Sequence, residues 1–201
     1  MYKYKLKRKQ EESLLALNVT EEEFKVMFST RDDDDINDES GYLDDDIFYP
    51  LLTTYNRFLR VEDKIERYFS VGLNEKPRIY AKVIHGYRTQ KTHQRLLEQG
   101  LHSSPTSQHF FGEAIDIHFF IRENNGWYKR VYPNLSKLEY TNIFGDTVVL
   151  EELDKHFFIL ANALFKGDFC IQQLILYNWG MHIGFSTKRV NVKRYFADTR
   201  Q

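Results

Sequence analysis

Ser107, His109, Gly112, Ala114 and Asp116 stand at fixed intervals in SQHFFGEAID, which runs straight on into IHFFI. A loop histidine followed seven residues later by a strand aspartate can offer an imidazole nitrogen and a carboxylate oxygen to one metal ion. Gly112 and Ala114 keep space open beside the backbone. Strand alternation puts Asp116 on the face of Ala114 and His118, away from Glu113 and Ile117. A carboxylate on a buried strand face costs on the order of several kcal/mol unless it is paired or metal-bound. The pattern therefore asks for a cation, and for a third donor elsewhere in the chain.

The remaining side chains that could do chemistry read more plainly. His93 and His156 fall on expected helices and His102 on a loop, where surface or packing roles suffice. His118 shares the Asp116 face roughly 6 to 7 Å along the strand, close enough to approach the same site. Cys170 is the single cysteine, among Phe169, Ile171 and Leu174, so it forms no internal disulfide and reads as a small buried hydrophobe.

The elements that must position these residues are legible from periodicity. Thr20-Glu21-Glu22-Glu23 has the form of a capping box, so a short helix starts at Glu21. Residues 31–46 form an acidic loop. Asp33, Asp35, Asn37 and Asp44 fall at calcium-loop positions, but Asp38 stands where the turn needs glycine, so a solvated loop is expected. Leu51 to Phe69 keeps helical spacing, IYAKVI (79–84) reads as a strand, residues 90–99 as a helix closed by Gly100, and 114–121 as a strand. An excursion over 119–150 has hairpin character, turning at Asn124-Asn125-Gly126 and at Gly145-Asp146. A helix over 151–165 and strands near 170–177 and 180–185 complete the pattern before a polar, basic tail with Lys188, Arg189, Lys193 and Arg194. The sum is an α+β fold, helices against a small antiparallel sheet, expected as one domain over 20–195 between an extension (1–19) and a tail (196–201).

Composition narrows the partners. With 28 basic and 29 acidic residues the net charge is −1, which points away from nucleic acid and anionic membranes. No run of about 20 apolar residues predicts a membrane span. MYKYKLKRKQEESLLALN lacks the apolar stretch of a secretory signal, so the chain is expected to be made in the cytoplasm and to need release to act elsewhere.

The motif S-x-H-x-x-G-x-A-x-D resembles that of the zinc D-Ala-D-Ala carboxypeptidases and L-alanyl-D-glutamate endopeptidases, peptidoglycan-cleaving metallopeptidases of bacteria and phages. Two further blocks agree in order: His85-Gly86-Tyr87-Arg88-Thr89 is similar to the family's S-G-Y-R-S, and Gln173-Leu174-Ile175 precedes a late-strand His182. The resemblance implies a fold shared with the hedgehog signalling domain and a zinc ion held by His109, Asp116 and His182. It further implies that Arg88 and Ser107 bind substrate, the peptide stem of bacterial cell wall, and that the protein serves lysis or remodelling as an endolysin or with other virion or lysis components.

Two departures accompany it. Relatives often carry a glutamate as proton acceptor three residues before the last histidine or at the end of the Q-L-I strand; here Trp179 and Tyr177 occupy those places. Asp146, Glu151, Glu152 and His118 stay open as substitutes. After His182 comes Ile183-Gly184 where relatives have a polar residue, which implies a less well supported ligand. The alternative reading is therefore a zinc-binding virion or wall-binding protein that keeps the peptidase fold with impaired catalysis.

Overall fold

The computed structural model describes residues 4–28, 36–72, 79–100, 107–142, 144–185 and 194–200. The chain divides into two compact units, Met1–Arg57 with Val83–Ile115, and Phe58–Lys82 with Asp116–Gln201. Of the acidic loop, residues 31–35, and with them Asp33 and Asp35, lie outside the described residues, as do His102, Lys188, Arg189 and Lys193.

In the first unit, α1 (Arg8–Ala16) and α2 (Glu21–Lys25) precede the start of α3 (Asp45–Gly72). The capping box forms as the sequence predicts: the Thr20 side chain accepts from the Glu23 N–H, and the Glu23 carboxylate accepts from Thr20 N–H at 2.8 Å. Gln10 is the polar exception in this core. Its amide donates to the Leu43 carbonyl and to Asp45, both at 2.8 Å, so its burial is compensated. Phe24 packs edge-on against Phe28, Phe48 and Tyr55, joining α2 to α3 through aromatic faces. Here too lie α4 (Gln90–Glu98), capped by Thr89, and a 3₁₀ turn, Gln108–Phe111.

In the second unit, Phe58, Val61, Ile65 and Phe69 of α3 are buried, and Phe69 meets Phe157 of α5 (Leu153–Gly167), which in turn touches Phe119. Strands β1 (Ile79–His85), β2 (Ala114–Arg122), β3 (Tyr128–Val131), β6 (Ile171–Leu176), β7 (Met181–Phe185) and β8 (Tyr195–Asp198) form one sheet in the order β1-β2-β7-β6-β8, with β3 also on β2; β4 (Lys137–Thr141) and β5 (Thr147–Glu151) pair separately. Helices against a small sheet give the expected α+β class, and no described helix is long and apolar enough to cross a membrane.

Five expectations change. The sheet is mixed rather than antiparallel, because β8 pairs parallel with β6, Leu174 opposite Phe196. Residues 196–198, expected in the tail, thus belong to a strand: β8 satisfies an edge of β6, and Phe196 lies edge-on to Phe158 and tilted against Phe165. The extension over 1–19 contains α1, and the helix expected from Leu51 begins at Asp45, where Asp45 and Asp46 favour the helix N-terminus. Cys170 is exposed, not buried: its N–H bonds the Asp168 carboxylate in a turn, and the inward alternation starts only at Ile171.

Candidate metal centre

Short-range chain geometry sets His109. Ser107 caps the 3₁₀ turn, its hydroxyl accepting from the His109 N–H at 3.4 Å, and the His109 carbonyl accepts from Arg88 N–H at 3.1 Å. The turn ends on Gly112 at φ +63°, with Leu51 N only 3.2 Å from where a Cβ would stand. A side chain there would meet both strain and backbone. Thr54 holds the turn from below, its hydroxyl donating to the Gly112 carbonyl at 2.6 Å. The chain then enters β2, which carries Asp116 seven residues past His109.

The His109 ring is buried, with Nδ1 2.7 Å from the Gly86 carbonyl. A carbonyl only accepts, so Nδ1 carries the proton and Nε2 the lone pair that a metal needs. His182 lies on β7, the sheet neighbour of β2, with Nδ1 2.8 Å from Asp116 Oδ1 and Nε2 3.1 Å from Gln173 Oε1. Ligand atoms of His109, Asp116 and His182 all lie within 4.8 Å of one another.

This donor set fits a divalent cation. Both ring nitrogens of His182 face oxygen acceptors, yet a neutral imidazole has one proton to share. A cation beside Nδ1 and Asp116 resolves that conflict and neutralises the half-buried carboxylate. Two imidazoles and one carboxylate also match zinc in sites that keep a fourth position for solvent or substrate. The group can therefore bind a metal ion.

The other predicted residues fall around it unequally. Ser107 and the Arg88 backbone support His109 directly, as above. His85 lies with its ring centroid 4.9 Å from that of His109. His93 is buried edge-on against Phe110, and His156 bonds the Tyr68 hydroxyl at 3.1 Å, so both keep packing roles. His118 Nε2 faces Arg130 Nη2 at 2.7 Å. A guanidinium only donates, so Nε2 is the acceptor in this contact. Burial pushes the His118 pKa down, Arg130's charge adds to this, and Asp116 opposes it.

The carboxylates weighed as proton acceptors are committed elsewhere. Asp146 accepts from Asn142 at 3.3 Å, Glu151 pairs with Lys137 at 3.4 Å and Glu152 pairs with Lys155, all on exposed surface. Tyr177 and Trp179 stack with centroids 4.8 Å apart at 10°, and Trp179 meets His118 edge-on.

Three contributors were not foreseen: Gly86 through its carbonyl, Gln173 and Arg130. Gln173 was visible only as part of a motif. Arg130 lies opposite Phe120 on β3, on the face of His118, which pattern alone would have shown had the strand register been known. Gly184 lies across from Gln173, and the Gln173 side chain reaches His182 from the neighbouring strand. Comparison of the chain with protein-family models, curated proteins and solved structures gives no match.

Proposed function

We propose that the chain is a zinc-dependent peptidase that cleaves the peptide stem of bacterial peptidoglycan, acting at the wall after release or as part of a virion. The observation that supports it is the buried grouping of His109, Asp116 and His182 in the order and spacing of the family motif. Zinc, when bound, would supply a Lewis acid for the scissile carbonyl and a nucleophile at neutral pH. The chain's own residues do the rest: His109, Asp116 and His182 hold the ion, Arg88 receives a substrate carboxylate with its planar fork, and Ser107 hydrogen-bonds the substrate as it changes geometry. Purified protein should release free amino groups from peptidoglycan, lose this activity to a chelator and regain it with zinc, while His109→Ala stays at background. Zinc-loaded wild type as inert as His109→Ala would end the catalytic reading.

A second reading has its own support. The metal group contains one carboxylate among the described residues, Asp116, and the two places where relatives carry a proton acceptor hold the stacked Tyr177 and Trp179. These favour a catalytically impaired zinc-binding protein that recognises the stem peptide without cutting it. Calorimetric binding of stem peptide by zinc-loaded protein with no product would select this reading.

A further inference from the structure

The strand pair β6 and β7 puts Ile175 opposite His182 and Gln173 opposite Gly184, after a register shift between Ile171 and Gln173. Gln173 is therefore the diagonal neighbour of His182 on one face, where side chains of this length reach each other. Gly184 presents no competing side chain at the position directly across. The outcome is the 3.1 Å contact from Gln173 Oε1 to His182 Nε2.

We propose that Gln173 is a positioning residue for the metal centre, its amide oxygen holding the proton of His182 on Nε2 so that the Nδ1 lone pair is aimed beside Asp116. The inference rests on the metal-binding part of the reading above and not on catalysis. The outer nitrogen of a ligating histidine is commonly held by a carboxylate or backbone carbonyl, which makes the ring a better donor. His109 follows that pattern through Gly86. His182 is held by the same kind of neutral amide oxygen, which adds less electron density than a carboxylate would, but one carried on a side chain rather than fixed in the backbone. The orientation of His182 therefore depends on how Gln173 is itself placed.

The test uses the full chain with zinc alone as ligand. Gln173→Leu keeps the bulk and removes the acceptor; Gln173→Glu restores an acceptor and strengthens it. Zinc affinity is read by competition with a chromophoric chelator, and the His182 tautomer by long-range proton–nitrogen NMR of the zinc-loaded protein, with circular dichroism to confirm folding. The expected result is a loss of about 10- to 100-fold in affinity for Gln173→Leu, disappearance of the protected Nε2 proton, and recovery to wild-type affinity or tighter in Gln173→Glu. If leucine prevents folding, Gln173→Ala takes its place, with the glutamate variant as control. A folded Gln173→Leu protein with wild-type affinity and an unchanged His182 signal overturns the proposal, as does a wild type that takes up no zinc. Tight zinc binding that falls in the leucine variant supports it even if peptidoglycan is left intact, which separates this role from the peptidase reading.

Discussion

Gly86 accepts the Nδ1 proton of His109 through its carbonyl, while its own N–H and that of Tyr87 donate to the Met27 carbonyl at 3.1 and 2.7 Å. A Cβ on residue 86 would stand 2.9 Å from that same Met27 oxygen and 2.8 Å from the Met27 methyl. The methyl can swing aside; the carbonyl cannot without breaking both bonds. Gly86→Ala is expected to destabilise by about 1–3 kcal/mol and to weaken zinc binding, measured by thermal melting and chelator competition; an alanine variant equal to wild type in both would refute the close approach. None of this was legible beforehand, because a carbonyl partner leaves no side-chain trace in the sequence. His109 and Asp116 were legible because seven residues separate them and strand parity handles the rest. His182 came only through family resemblance, since it stands 66 positions beyond Asp116 in the chain.

At the scale of elements, what local chemistry dictates was read well. The Thr20 capping box, the Asn124-Asn125-Gly126 turn and the apolar stripe of α5 each depend on neighbours within a few residues, and each forms. Thr20→Ala removes one half of the reciprocal cap and should lower stability by about 1 kcal/mol, read as a drop in the denaturation midpoint with unchanged slope. An unshifted midpoint would mean that Phe24, wedged among Phe28, Phe48 and Tyr55, holds α2 unaided. What pairing across distance dictates was missed: β8 is short, and nothing near residue 195 announces that a parallel partner waits at Gln173. Cys170 failed for a related reason. Its apolar neighbours Phe169 and Ile171 point to opposite fates, one 83% exposed and the other fully buried, because the strand begins between them and the turn ends there.

Across the second unit as a whole, Arg200 acts as a peg. Its guanidinium donates to the carbonyls of Pro133 and Asp154, both at 2.6 Å, and grips Asp198 with two nitrogens at 2.6 and 2.7 Å. Those bonds hold the Asp198 carboxyl below the usual aspartate range, chiefly through the Arg200 hydrogen bond and against the opposing effect of burial. A carboxylate depressed on folding stabilises the native state above its unfolded pKa of about 3.9 and loses that contribution as pH falls through the lower folded value. Wild type should therefore exceed Asp198→Asn in melting temperature at neutral pH, with the gap closing in acid below about pH 4. A gap independent of pH would assign the effect to packing alone.

The order of strands also has a temporal side. Asp116 on β2 waits for β7, its neighbour in the sheet, which is translated only after β3 to β6 and α5. A nascent chain that has emerged only as far as residue 181 already carries His109 and Asp116 but lacks the second imidazole. Such a fragment therefore holds only part of the donor set that could bind a metal ion.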